Sequence, residues 1–280
     1  MKTKDQTNRK ALPAGSPSPL SLKLRTAIAV KLFFGLFLLY FLNSCVPCYY
    51  APSAQNVPLL QRKKDSRASG GIRIGSYTVG CDFQGAFALT SQLGIMANYS
   101  YNTGLFSPSD DTTLSGLKGN LVEIGLGYYK PFKDKYVFEL YSGAGTSWIR
   151  TPNDNFYGLI SSTIHSWNLF IQPTFGMHKK NMEFAYSTRL RVLDYNHLEY
   201  DPEDNGKIDQ VMMDLEGLPM TYLIEPAFTY RTGKGLFKTQ VQLGFSIPLN
   251  NNDYLAFDPF YLSIGMVLKI PGEKRIGLTK

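Results

Sequence analysis

Residues 120–130 read NLVEIGLGYYK, and the fold turns on this stretch. Val122, Ile124, Leu126 and Tyr128 fall on one side of an extended chain. Glu123, Gly125 and Gly127 fall on the other. A period of two marks a strand whose two faces meet different surroundings. The rhythm returns downstream. Trp167, Leu169, Ile171, Phe175 and Met177 alternate with Asn168, Gln172, Thr174 and Gly176. Met182, Phe184, Tyr186, Leu190 and Val192 oppose Glu183, Ser187, Arg189 and Arg191. Phe237, Val241, Leu243, Phe245 and Ile247 oppose Lys238, Gln240, Gln242, Gly244 and Ser246.

Each run extends over roughly 10 residues, the length of a tilted strand crossing a bilayer. Strands of soluble sandwiches are nearer 5 or 6. Tyr128, Tyr129, Tyr136, Trp148, Trp167, Tyr195, Tyr222 and Tyr230 gather near the run ends, where interfacial girdles lie. The expected fold is therefore all-β, an antiparallel up-and-down transmembrane β-barrel. The soluble rivals are a β-sandwich and a lipocalin-like barrel. Ten strands are expected over 71–270, starting near 71, 81, 93, 120, 136, 166, 182, 221, 236 and 258. Gly70–Leu89 reads as one bent strand or as two joined near Thr78–Gly80, and eight is the alternative count if one further strand is also misassigned. Short connections alternate with long ones at 103–119, 150–165, 194–220 and 248–257, so the long ones are assigned to the cell exterior.

The face opposite the apolar one carries Glu123, Glu139, Glu183, Arg189, Arg191, Glu225, Arg231 and Lys238, with Arg73, Gln84, Asn168, Gln172, Gln240, Gln242 and Lys269. Both signs of charge are present. A barrel this small has an interior that side chains can fill. A packed polar lumen network is expected, with a narrow solute channel as the alternative. The outward face is almost free of charge.

The front of the chain has another character. Leu32–Leu42, LFFGLFLLYFL, is apolar for eleven residues and follows Lys23, Arg25 and Lys31. A spanning helix needs about 20 apolar residues. Basic flank, short apolar core and small residue instead make a secretory signal. Leu42-Asn43-Ser44-Cys45 resembles the bacterial lipobox, and the following CYYAPSAQNVPLL resembles a family of uncharacterised Gram-negative outer-membrane β-barrel lipoproteins. That resemblance implies acyl chains on Cys45. The implied organisation is a signal segment with a long polar lead over 1–44, a periplasmic tether over 45–70, the barrel over 71–270 and a periplasmic tail over 271–280. It also implies an outer-membrane location. No acidic run follows Cys45, which points its lipid to the periplasm-facing leaflet.

Charge follows this division. The net +7 comes from 29 basic and 22 acidic residues. Residues 1–44 hold seven of the basic residues and one acidic residue, Asp5, leaving +1 for the remainder. The basicity thus argues nothing for nucleic acid. Cys48 and Cys81 would be free to pair in an oxidising periplasm. The expected partners are outer-membrane lipid and the covalent acyl chains, with no cofactor and no metal.

Catalytic patterns are sparse. A ten-strand barrel invites comparison with the outer-membrane omptin proteases, which work at the external rim. Asp194-Tyr-Asn-His197 departs from that family's Asp-x-His pattern, and Asp110-Asp111 lie in a loop. Asp201–Asp209, DPEDNGKID, partly resembles a calcium loop, but its twelfth position is Met212, where a bidentate Glu belongs. The expectation is a non-enzymatic barrel with a structural or interaction role through its external loops.

Overall fold

A computed structural model describes residues 50–104, 117–133, 135–151, 162–200, 220–250 and 257–273. The period-two segments form β1 (Ser66–Gly75), β2 (Thr78–Ala88), β3 (Leu93–Gly104), β4 (Lys118–Phe132), β5 (Tyr136–Thr151), β6 (Ser162–Lys179), β7 (Met182–Tyr200), β8 (Thr221–Thr232), β9 (Phe237–Phe245), β10 (Ile247–Pro248) and β11 (Phe260–Ile270). β10 prolongs β9 beyond Ser246 and pairs Ile247 with Ile224 of β8. The ten long strands are each antiparallel to their neighbours, in chain order. β11 pairs with β9, and then with β1 from Ser66↔Ile270 to Gly75↔Tyr261. That last ladder closes the sheet into a barrel, so no long edge is left with unpaired amides.

The two faces separate as the alternation requires. Ile72, Ile124, Phe228, Ile264 and Met266 point outward and are more than half exposed. Their chain neighbours Arg73, Glu123, Thr229 and Ser263 are buried in the lumen. Aromatic rings cluster on the outer wall: Phe132, Tyr136 and Phe175 lie within 5.5–5.9 Å of one another, and Phe184–Tyr230 and Tyr186–Phe228 each stand at 5.0 Å. Two of the expected girdle residues face inward instead. Tyr129 and Tyr195 are buried, and the Tyr129 hydroxyl donates to the carbonyl of Thr90 across the adjacent turn.

One end of the barrel carries the short turns 89–92, 133–135, 180–181 and 233–236. At the other end lie the tight Ser76–Tyr77 turn and the strand ends Gly104 and Lys118, Thr151 and Ser162, and Tyr200 and Thr221, between which the sequence runs its longer connections. The first is the turn end and the second the loop end.

Several boundaries differ from the sequence reading: β6 begins at Ser162 rather than 166, and β7 runs on to Tyr200 through residues expected in the 194–220 connection. β1 begins at Ser66, not 71, because Ser66–Gly70 complete the ladders with both β2 and β11. The first hairpin turns at Ser76–Tyr77 rather than at Thr78–Gly80. Asp258, from the far end of the sequence, accepts the Tyr77 amide at 2.7 Å and the Thr78 hydroxyl, and so fixes that turn.

Another difference is larger. Of the stretch expected as a periplasmic tether over 45–70, residues 50–60 lie inside the barrel and 66–70 belong to β1. From Tyr50 to Leu60 every residue is buried. This segment runs through the lumen before the chain turns into β1.

Candidate functional site

The lumen segment reads YAPSAQNVPLL over residues 50–60. Pro52 and Pro58 lack amide hydrogens and hold their preceding residues extended, so the segment can join neither a helix nor a ladder. Its remaining backbone groups must find partners elsewhere, and the barrel wall supplies them. Gln55 is the centre. Its amide donates to the side-chain Oε1 of Gln242 at 2.7 Å, its carbonyl accepts from Gln242 Nε2 at 3.0 Å, and its side-chain oxygen accepts from the Ser187 hydroxyl at 2.6 Å. Asn56 donates to the Gly85 carbonyl and to Asn98 Oδ1, each at 2.9 Å, and its own carbonyl accepts from Gln172 at 2.7 Å. Arg231 donates to the Val57 carbonyl at 2.7 Å. The partners come from β2, β3, β6, β7, β8 and β9, so the segment is held from all around the wall.

At the turn end the segment finishes in two leucines. The Leu59 and Leu60 amides donate to opposite oxygens of the Glu139 carboxylate, at 3.0 and 2.8 Å. Leu59 packs with Val57, Val137 and Ala185, and Leu60 with Ala88 and Tyr129. The wall is hollowed for them. A Cβ on Gly176 would stand 2.2 Å from Leu59 Cδ2, and one on Gly94 would stand 2.7 Å from Leu60 Cδ1. Only glycine admits so close an approach there.

Around this strap lie two buried ion clusters. In the first, Glu123 meets Arg189 at 3.1 Å and Arg191 at 2.7 Å, and Arg191 also reaches Glu225 at 3.3 Å. Tyr50 joins it, donating its hydroxyl to Glu225 at 2.6 Å beneath the Arg191 guanidinium. In the second, Glu183 gathers Lys238 at 2.6 Å, Arg67 at 2.9 Å, His178 at 3.1 Å and Arg231 at 3.4 Å. Unpaired, such charges would cost several kcal/mol each in this setting. Here each finds an opposite charge, and Arg189 and Arg231 also bond to Gln172 and Gln240. Arg73 pairs with Asp82 at 3.2 Å in a third, smaller contact.

All eight residues singled out from the sequence as a lumen network face this interior. Glu123, Arg189, Arg191 and Glu225 form the first cluster, and Glu183, Arg231 and Lys238 belong to the second. Glu139 stands apart, serving the strap. Sequence reasoning overlooked Arg67 because β1 was begun too late, and Asp82, Asn98 and Asn102 because β2 and β3 alternate small residues without a strong apolar side. It also overlooked the strap. The available signal was that residues 46–60 carry no charge at all, whereas a solvated tether tends to be charged or strongly polar.

The remaining candidates are spread out. His165 and His197 lie beside one another at the loop-end rim, ring centroids 5.9 Å apart, both facing Glu199 at 3.6 and 3.7 Å. The β6–β7 register shifts between His165 and Ser166, which pair with His197 and Tyr195 and leave Asn196 of β7 as the extra residue. Cys81 sits on β2, half-buried on the same side as outward Phe83. Cys45, Cys48, Asp110, Asp111 and the loop Asp201–Asp209 with Met212 lie outside the described residues. At the loop end, burial lifts the Asp258 carboxyl above the ordinary carboxylate range, against the lowering effect of the Thr78 hydroxyl and the Tyr77 amide.

No protein-family model matches the chain, and no curated protein matches it in sequence. Among solved structures, the chain is similar to an outer membrane channel from Pseudomonas putida F1, at 10% identity and a TM-score of 0.38, over 78% of this chain and 100% of that one.

Proposed function

We propose that the chain is a bacterial outer-membrane barrel, anchored additionally by acyl chains at Cys45, whose lumen is sealed by its own strap and which acts as a scaffold for its loop-end connections. An apolar outer wall over a polar, ion-paired interior is the arrangement lipid demands, since a bilayer wets the outside and every backbone group must be satisfied within. With short turns toward the periplasm and long connections outward, the loop end faces the medium. The lipobox-like Leu42–Cys45 supports the anchor. No catalytic role is proposed.

The observation that carries this reading over the channel alternative is the seat of Tyr50–Leu60. An open solute path through so small a barrel needs its axis free. Here the axis is occupied by a segment bonded to Gln242, Gln172, Arg231 and Glu139. Planar-bilayer recording on the full-length mature chain tests it. The expected trace is silent under moderate voltage. Steady unitary conductance from the unaltered protein would favour the channel.

A further inference from the structure

Lys118 and Arg150 stand directly opposite each other at the loop ends of β4 and β5, both exposed on the outward face. Like charges in that relation repel and weaken a ladder. The ion pairs among the described residues include neither of them. The acid in the same row, Glu199, is two strands from Arg150 across Thr163, and it faces His165 and His197. Trp148 follows two residues from Arg150 toward the turn end, on the same face and paired with His165, and Trp167 follows two residues from His165. Tryptophan settles at the headgroup level of a bilayer. The two cations therefore stand at that level or just outside it.

Nearer the middle of the same strands the wall is recessed. A hollow of about 870 Å³ is lined on the outside by Gly85, Ala97, Ile124, Ser142, Ala144 and Leu169. Gly85, Ala97, Ile124, Ala144 and Leu169 are successive cross-strand partners from β2 to β6, so the hollow lies along one row. Ile124 is six residues from Lys118 and Ala144 six from Arg150, about 20 Å along the strand. With strands tilted by about 40°, that is about 15 Å of depth. Half of a hydrocarbon core about 30 Å thick is the same depth. A charge pair and an apolar recess are thus spaced as the headgroup and chain of a lipid in a single leaflet.

We propose that this wall seats one phosphorylated, acylated lipid of the outward leaflet, its phosphate between Lys118 and Arg150 and an acyl chain in the hollow. This rests on the membrane location and orientation set out under Proposed function. A phosphate between the two cations removes their repulsion. The Arg150 guanidinium can grip it with two parallel hydrogen bonds, and the Lys118 ammonium adds a point charge.

The full-length chain, purified in detergent, is titrated with a bisphosphorylated, acylated disaccharide lipid (lipid A) and with the same lipid dephosphorylated. Binding is read by native mass spectrometry. The unaltered chain should bind the phosphorylated form about tenfold more tightly. Lys118→Gln/Arg150→Gln should remove that preference and leave the affinity for the dephosphorylated form unchanged. Ala144→Phe, which fills the hollow, should weaken both. Heat-modifiable mobility verifies that each variant is folded. Equal affinity of the unaltered chain for the two forms overturns the seat, whatever the variants do. A folded Ala144→Phe chain that binds both as before overturns it too. Displacement of the lipid by an equal concentration of inorganic phosphate identifies a free-anion site and overturns the lipid assignment. Recovery of the chain in the soluble fraction of the cell overturns the membrane reading and the seat with it. Recovery in the membrane with equal lipid affinities overturns the seat alone.

Discussion

Leu60 donates its backbone amide to the Glu139 carboxylate at 2.8 Å, with the Leu59 amide on the other oxygen at 3.0 Å. A single wall residue thus satisfies two adjacent amides of a chain that has no ladder of its own. Hydrogen bonds to a buried charge contribute about 1.5–3 kcal/mol each. Glu139→Ala leaves both donors without an acceptor at the turn end. The expected outcome is a strap that leaves its seat intermittently, read as flickering conductance in a bilayer where the unaltered protein is silent. Glu139→Gln keeps one acceptor oxygen and should flicker less.

The fit of Leu59 against Gly176 gives a steric counterpart. Gly176→Val places branched carbon where Leu59 Cδ2 already stands at 2.2 Å from a Cβ. The strap must shift while the wall, closed by ladders on both sides of β6, stays formed. Heat-modifiable mobility on unboiled gels should survive this change. Protection of the 50–60 region from added protease should fall.

Glu183 is the anchor of three cations. Glu183→Ala leaves Arg67, Arg231 and Lys238 without their shared carboxylate. Removing one partner of a buried pair costs about 3–5 kcal/mol. Urea titration in detergent, followed by gel mobility, should show a loss of that order. Glu199→Ala, at the exposed rim beside His165 and His197, should move the same midpoint by no more than about 0.5 kcal/mol.

The outer wall answers to lipid. Val241 sits mid-strand on β9 and faces outward. Val241→Lys should cost about 2–4 kcal/mol of folding in liposomes, against little for Val241→Leu. Neighbouring Gln242 is no neutral control, because it holds both the amide and the carbonyl of Gln55.

The barrel was legible from Asn120–Lys130 and its echoes because hydrocarbon outside and charge inside impose a strict two-residue rhythm. The lumen charges were legible for the same reason: Glu123 or Arg189 has only two directions to point. Tyr129 and Tyr195 escaped, since a tyrosine fits either an interfacial girdle or a polar lumen. The strap escaped for a different cause. Its partners, such as Gln55 with Gln242 and Leu60 with Glu139, lie far apart in sequence, and a proline-punctuated segment has no period to betray which surface it meets. Its lack of charge was the one local clue.

The central claim is that Tyr50–Leu60 lies inside the closed barrel. Cysteine cross-linking measures it most directly. Asn56 Nδ2 and Asn98 Oδ1 stand 2.9 Å apart across the lumen. With Cys48 and Cys81 replaced by serine, Asn56→Cys/Asn98→Cys should be joined in native membranes by a short bis-methanethiosulfonate, which forms a disulfide with each thiol and releases sulfinate. A tryptic fragment pair linking the strap to β3 is the predicted product. Efficient modification of both thiols by a bulky maleimide, with no linked pair, would contradict it.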